Sequence, residues 1–114
     1  MEEWSRQELE QHLKNDESFF LYLYTPFCGT CQVSGRMLEI VEEMVPEMRV
    51  GKCNLNFFPE YAQVWKIESV PCLAVFHKGR IGEKIYAFRS VPYLYEKVKT
   101  LMCRFKKMTG RRAR

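Results

Sequence analysis

The order of apolar patterns along the chain predicts an α/β domain with a mixed central sheet of about four strands and helices on both faces. Short apolar runs typical of buried strands alternate with stretches of helical period, and the connections between them are short. The last two predicted strands follow one another as a hairpin, which makes the sheet mixed rather than purely parallel. With 114 residues, 46% of them hydrophobic, the chain suffices for one such domain.

The chain opens with a predicted helix over residues 5–15. Ser5 and Glu8 have the spacing of a capping box, in which each side chain accepts a hydrogen bond from the other residue's backbone N–H. Leu9 and Leu13 follow at helical spacing, so one face of this helix is expected to be buried.

A buried strand and an amphipathic helix come next. Residues 19–24 form an aromatic and aliphatic run without alternation, which is typical of a strand covered on both faces. The stretch 31–45 carries apolar residues at i, i+1, i+4, i+7 and i+8 counted from Met37, and Pro46 follows it. This period predicts an amphipathic helix that ends before the proline.

The second half of the chain is predicted to add three strands and two helices. These are a strand over 48–55, a short helix over 59–66, a buried strand over 72–77, a fourth strand over 83–88 and a closing helix from 92 to about 105. Lys78-Gly79 has the composition of a tight turn, and Pro92 suits the first turn of a helix. We expect residues 1–105 to form the domain and residues 106–114 a basic tail.

The charge distribution favours neither a nucleic-acid-binding protein nor a membrane protein. The net charge is +4, but six of the 18 basic residues lie in 104–114, so the other 12 face all 14 acids and the body carries about −2. We interpret the basic end as solvated cations near a helix C-terminus, and expect neither nucleic acid nor a membrane as partner. No stretch reaches the roughly 20 apolar residues of a membrane span. Because no apolar run follows the acidic start, we expect a cytoplasmic protein.

The pair Cys28 and Cys31 is the most informative motif. It reads Cys-Gly-Thr-Cys and lies directly after the first buried strand, at the start of a predicted helix. Unpaired N–H groups and the macrodipole place partial positive charge there and stabilise a Cys28 thiolate. A thiolate is the nucleophile of thiol–disulfide exchange, and Cys31 lies one turn on, where it can resolve a mixed disulfide. The motif therefore predicts a redox-active dithiol, and Gly29, which has no side chain, leaves room beside it for a docking chain.

Two other interpretations of the pair are open. One is half of a metal site, which normally requires a second cysteine pair or matching histidines. The remaining candidate ligands stand singly at no recognised spacing: Cys53, Cys72, Cys103, His12 and His77. We therefore expect no metal, and a metal or cluster site built on the pair with Cys72 is the alternative. The other is a pair of inert buried thiols, which the position after Thr25-Pro26 disfavours because these residues indicate a strand leaving the core.

The segment Tyr24–Cys31 resembles the active-site segment of the thioredoxin family, and the likeness covers roughly residues 5–105. Val70-Pro71, just ahead of a predicted strand, is similar to the place where the family keeps a cis proline facing the disulfide. Lys52 resembles the lysine that many thioredoxins hold beneath the active site.

The resemblance implies a thioredoxin fold and a thiol–disulfide oxidoreductase that acts on disulfide-containing proteins. Cys28 would attack the substrate and Cys31 would resolve the mixed disulfide, with an upstream reductase to regenerate the dithiol. The other implied residues are Gly29, Thr30 and Lys52 as active-site support and Phe27, Val70 and Pro71 as substrate contacts. No metal or organic cofactor is implied, because the Cys28–Cys31 disulfide is itself the working group.

The chain also departs from the family, at Ala87 near a glycine of the family's substrate groove, in an opening strand that is missing or vestigial, and at three positions in or near the active-site segment. Thr30 stands in place of the usual proline, and Phe27 in place of the usual tryptophan. Tyr22 stands where many thioredoxins bury an aspartate, the family's proposed proton acceptor for the resolving thiol. The Thr30 hydroxyl is expected to stabilise the reduced form and to raise the reduction potential. The alternative function is a thioredoxin-fold module that binds partners without turnover.

Overall fold

The computed structural model describes the backbone of residues 1–112 and the side chains of residues 1–106. The strands are β1 (Glu2–Glu3), β2 (Phe19–Tyr24), β3 (Val50–Asn54), β4 (Cys72–His77) and β5 (Arg80–Ile85). The helices are α1 (Arg6–Lys14), α2 (Gly29–Met44), α3 (Pro59–Val64) and α4 (Val91–Arg112), and a 3₁₀ turn covers Leu55–Phe57.

The strands form one mixed sheet in the order β1-β3-β2-β4-β5. β3 is parallel to β1 and β2, whereas β4 is antiparallel to β2 and β5. The predicted α/β class and mixed sheet are confirmed. The sheet has five strands instead of about four because β1, which pairs with Gly51 and Lys52, is too short to leave a pattern in the sequence.

Strand β2 supplies side chains to the cores on both faces of the sheet. Phe20 and Tyr22 pack with residues of α2 and α4 on one face. Phe19, Leu21 and Leu23 pack with residues of α1 and the end of α3 on the other. Because successive side chains of a strand alternate, a run without polar residues can be buried on both sides. The predicted placement of helices on both faces is confirmed.

Helix α2 begins at Gly29, earlier than the predicted start at Cys31, because Cys28 caps it. The Cys28 sulfur accepts a hydrogen bond from the Cys31 backbone N–H at 3.1 Å. This is the bond that a serine or aspartate side chain makes at an ordinary N-cap. The cysteine pair therefore spans the first turn of the helix.

The hairpin between β4 and β5 is tighter than predicted. Lys78 and Gly79 have φ angles of 54° and 78°, and two such residues form the turn whose twist matches that of the flanking strands. β5 therefore starts at Arg80, directly after the turn, and ends at Ile85, where 83–88 was predicted. Two other elements are shorter than predicted, Val50–Asn54 against 48–55 and Pro59–Val64 against 59–66.

Helix α4 continues to Arg112, past the predicted end of the domain at residue 105. Its predicted apolar stripe is confirmed, with Leu94, Val98 and Leu101 buried in the core. The basic tail predicted for 106–114 thus begins within this helix, and its side chains from residue 107 onward lie outside the described residues. In the part of the chain that the structure describes, no helix is long and apolar enough to cross a membrane.

Candidate active site

Cys28 and Cys31 form a disulfide just beyond the C-terminal end of β2, and their Cα atoms lie 5.1 Å apart. The chain leaves β2 at Tyr24, turns, and enters α2 at Gly29, so the disulfide lies between strand and helix. Cys28 is partly exposed, whereas Cys31 is 3% exposed. Cys28 is therefore the more accessible of the two cysteines.

Two polar groups point at the Cys28 sulfur. One is the Cys31 backbone N–H that caps the helix, and the other is the Thr30 hydroxyl, 3.3 Å away. The positive end of the α2 macrodipole adds to their effect. Both hydrogen-bond donors and the helix dipole are placed to stabilise negative charge on the Cys28 sulfur once the disulfide is reduced.

A Thr30→Val variant should have a reduction potential about 10–30 mV below that of the wild type, since one hydrogen bond contributes about 0.5–1.5 kcal/mol and about 30 mV corresponds to 1.4 kcal/mol. Valine keeps the shape of threonine but removes the hydroxyl that stabilises the reduced form. The potential can be measured by equilibration with redox buffers of known potential. Thr30→Ser keeps the hydroxyl and should stay near the wild type. A valine variant at or above the wild-type potential would contradict this role of Thr30.

A pocket of about 210 Å³ lies beside the buried Cys31. Its walls come from β2, β3 and α2, and they include Tyr22, Lys52 and Glu39. Lys52, which the resemblance singled out, lines this pocket together with Cys31. Glu39 was not predicted from the sequence, although Cys31, Gly35 and Glu39 are spaced i, i+4, i+8 and therefore share one face of α2.

Tyr22 holds the backbone of the buried cysteine. It is 3% exposed, and its hydroxyl donates a hydrogen bond to the Cys31 carbonyl. Burial and the charge of Glu39 raise the pKa of Tyr22 to about 12, and a hydrogen bond with the Gly35 backbone offsets part of this rise. The hydroxyl is therefore protonated at neutral pH. Tyr22 occupies the position of the family's aspartate without being able to accept a proton there.

The second tyrosine of the pocket is also held by a hydrogen bond. The Tyr24 hydroxyl donates to a carboxylate oxygen of Glu3 at 2.7 Å. Burial, followed by this hydrogen bond, raises the pKa of Tyr24 to about 12. The Lys52 ammonium lies 5.7 Å from the centroid of the Tyr24 ring and contributes positive charge to the pocket.

The predicted substrate-contacting residues lie at the same end of the sheet as the disulfide. The Val70–Pro71 peptide bond is cis, as the resemblance implied. Pro71 directly precedes β4, whose first residue, Cys72, pairs with Leu23 near the end of β2. Because β2 and β4 are antiparallel neighbours, the start of β4 lies beside the end of β2, at this end of the sheet.

The surface next to the disulfide is open and apolar. The Phe27 side chain is fully exposed, with a relative accessibility of 102%. A side chain added at Gly29 would meet nothing within 4 Å, so this residue leaves free space beside the sulfur atoms. Phe27 and Gly29 together present a surface on which another chain can rest.

The other described cysteines do not join the pair. Burial raises the pKa of Cys53 to about 12 and that of Cys72 to about 11, so both are protonated thiols at neutral pH. Cys103 is exposed on α4. Among the described residues, no three His, Cys, Asp or Glu side chains are placed to bind a metal. The alternative site built on the pair and Cys72 therefore has no counterpart in this part of the chain.

Comparison with known proteins agrees with this geometry. The Thioredoxin family model matches residues 1–100. The chain is 48% identical over 99 residues to the thioredoxin-like protein YusE of Bacillus subtilis (strain 168), covering 87% of this chain and 92% of that protein. It is 32% identical over 81 residues to a thioredoxin of Buchnera aphidicola subsp. Acyrthosiphon pisum (strain APS), covering 69% and 75%.

Solved structures show the same fold. Chloroplastic thioredoxin z superposes with a TM-score of 0.74 at 22% identity, over 90% of this chain and 95% of that one. Thioredoxin from Trypanosoma brucei brucei superposes with a TM-score of 0.73 at 14% identity, over 90% and 89%. With its Cys28–Cys31 disulfide at the start of α2 and a family match over most of its length, this chain belongs to the thioredoxin family.

Proposed function

We propose that this thiol–disulfide oxidoreductase of the thioredoxin family works as a protein-disulfide reductase. The observation that carries the proposal is the asymmetry of the pair. Cys28 is partly exposed and its sulfur accepts the capping hydrogen bond of α2, while Cys31 is buried directly behind it. An accessible, stabilised thiolate backed by a second thiol is the arrangement that disulfide exchange requires.

The reaction proceeds by two successive exchanges. The Cys28 thiolate attacks one sulfur of a substrate disulfide, and the other substrate sulfur leaves as a thiolate. Cys31, as a thiolate, then attacks the Cys28 sulfur, so that the Cys28–Cys31 disulfide forms and the second substrate sulfur leaves. Two electrons pass from the protein to the substrate, and each departing thiolate takes up a proton.

A protein substrate would dock as an extended segment across the ends of β2 and β4. Phe27 offers an exposed ring beside the disulfide, and Val70 and Pro71 lie at the same end of the sheet, next to the start of β4. A substrate segment laid across these strand ends can bury the ring and pair with the backbone ahead of β4, by analogy to strand addition.

We further propose that the protein works in a reducing compartment, the cytoplasm, where an upstream reductase returns the pair to the dithiol. The support is that Cys53, Cys72 and Cys103 are all free thiols in the structure. Unpaired cysteines are typical of proteins kept in such a compartment. The proposal includes no metal, no organic cofactor and no nucleic acid, since the disulfide itself carries the electrons.

Reduction of insulin with dithiothreitol as electron donor tests this function. The wild type should accelerate precipitation of the insulin B chain, and Cys28→Ser should lose this activity by about a hundredfold or more because the attacking sulfur is gone. Cys103→Ser is the matched control, since it removes an exposed thiol far from the motif in sequence and should stay active. A wild type no faster than Cys28→Ser would favour the alternative, a module that binds without turnover.

A further inference from the structure

We propose that Glu39 accepts the proton that Cys31 loses before it resolves the mixed disulfide, and that water in the pocket beside Cys31 carries this proton. The inference rests on the proposed exchange reaction and concerns its second step. Cys31 is 3% exposed, and burial disfavours the charged form of a thiol. Since only the thiolate is nucleophilic, the second step needs an acceptor that the pocket can reach.

The residues that line the pocket leave one acceptor among them. The titratable groups in its walls are those of Cys31, Tyr22, Tyr24, Lys52, Glu39 and the Met1 amino group. Both tyrosine hydroxyls are protonated and donate their hydrogen elsewhere, to the Cys31 carbonyl and to Glu3. The Lys52 ammonium donates hydrogen bonds and has no acceptor site, and the Met1 amino group is paired with the Glu42 carboxylate at 3.1 Å. Within the described part of the chain, Glu39 is the carboxylate of this pocket.

Helix geometry places Glu39 on the same face as Cys31 and leaves the space between them open. The two residues are separated by two turns, a rise of about 12 Å. Gly35 lies between them and carries no side chain, and the Tyr22 ring borders the space, since a Cβ at Gly35 would lie 3.5 Å from it. Helical side chains lean toward the N-terminus of their helix, which is the direction of Cys31, and the Glu39 side chain lines the same pocket as Cys31.

Water can carry the proton from Cys31 to Glu39, and the nearest positive charge, the Met1 amino group, leaves the Glu39 carboxylate able to accept it. A pocket of about 210 Å³ has room for several waters at about 30 Å³ each. The Met1 amino group lies 3.1 Å from Glu42 and 3.9 Å from Glu39, so Glu42 is its closer partner. The Glu39 side chain is 50% exposed and can pass the proton on to solvent.

The proton and electron balance of the step is simple. The Cys31 S–H proton passes through water to the Glu39 carboxylate, and Lys52 stabilises the resulting thiolate. The Cys31 sulfur then bonds to the Cys28 sulfur while the bond from Cys28 to the substrate sulfur breaks. The electron pair leaves on the substrate sulfur, which takes a proton from solvent. Glu39 returns its proton to water and is ready for another cycle.

Stopped-flow reaction of the reduced protein with one equivalent of dithiobis(nitrobenzoate) separates the two steps. The first release of coloured thionitrobenzoate reports attack by Cys28, and the second reports resolution by Cys31. All variants should carry Cys103→Ser, because this exposed thiol would add a signal of its own. Glu39→Gln is compared with Glu43→Gln, a matched loss of charge on the same helix that does not line the pocket.

We expect Glu39→Gln to slow the second release about tenfold at neutral pH and to leave the first within about twofold, since pocket water can still accept the proton slowly. Between about pH 6 and pH 8, the rate of the second release should rise nearly tenfold per pH unit in Glu39→Gln, because hydroxide must then remove the Cys31 proton. In the parent this rate should rise only weakly, because the Glu39 carboxylate accepts the proton in place of hydroxide. Glu43→Gln should match the parent. An unchanged second release, or equal pH slopes, would overturn the role of Glu39, whereas absence of the first release would instead contradict the proposed function.

Discussion

A Cys31→Ser variant is expected to accumulate a mixed disulfide with its substrate on Cys28 and, in a single turnover of the reduced protein without added thiol, to release the substrate about a thousandfold more slowly or not at all. Serine carries no thiolate, so the attack that releases the substrate cannot occur. The neighbouring thiols cannot replace it, because Cys53 and Cys72 are buried and burial raises their pKa to about 12 and about 11. Mass spectrometry under non-reducing conditions would show a species heavier by one substrate chain, which dithiothreitol removes.

The controls for this trap identify the sulfur that holds the substrate. The double variant Cys28→Ser/Cys31→Ser should form no adduct, while Cys31→Ser/Cys103→Ser should trap as well as Cys31→Ser alone. An adduct on the double variant lacking both motif cysteines would show that Cys103 reacts with substrate. Trapping by Cys28→Ser, with none by Cys31→Ser, would reverse the roles of the two motif cysteines.

A Gly51→Ala variant is expected to lower the free energy of unfolding by about 3 kcal/mol, the upper part of the range for overpacked cores. A Cβ at Gly51 would lie 2.2 Å from two ring atoms of Trp4. The indole has little freedom to move, since Trp4 is 5% exposed and stacks on His12 with ring centroids 4.1 Å apart. Its backbone N–H is also bonded to the Lys52 carbonyl at 2.9 Å. Urea unfolding followed by circular dichroism measures the loss.

Gly82→Ala is the matched control, because a Cβ there would meet only the Val75 carbonyl at 3.7 Å, an ordinary contact. Its stability should stay within about 0.5 kcal/mol of the wild type. The double variant Trp4→Ala/Gly51→Ala should lose less stability than the sum of the single variants, since the clash disappears with the indole. A Gly51→Ala protein as stable as Gly82→Ala would show that the edge of the sheet can shift to accept the methyl group.

Much of the fold follows from patterns that are local in the chain. The strands β2 and β4 begin and end where the sequence predicts, because β2 is an uninterrupted apolar run and β4 is an apolar run that closes with His77 before the turn. The start of helix α1 after Ser5 is also predictable, because the capping box that Ser5 forms with Glu8 involves only residues close in sequence. The redox pair is likewise local, since its spacing and its place after a buried strand are legible in the sequence.

The elements that the sequence did not predict depend on contacts between distant segments. Strand β1 exists because Glu2 and Glu3 pair with β3, and two residues have no period of their own. His12 had no visible partner in the sequence, yet it bonds to Glu17 at 2.8 Å and stacks on Trp4. Trp4 in turn packs against Gly51, whose missing side chain makes room for the indole.

The proton path behind Cys31 illustrates the same division at the active site. The sequence shows that Tyr22 replaces the family's aspartate, but it does not show which group accepts the Cys31 proton instead. That answer requires α2 to lie across β2 and β3, which brings Glu39 and Lys52 to one pocket with Cys31. Spacing along a helix limits which residues share a face, and packing against the sheet selects the face that meets the sulfur. The redox pair is therefore readable from neighbouring residues, while its proton acceptor is a property of the packed fold.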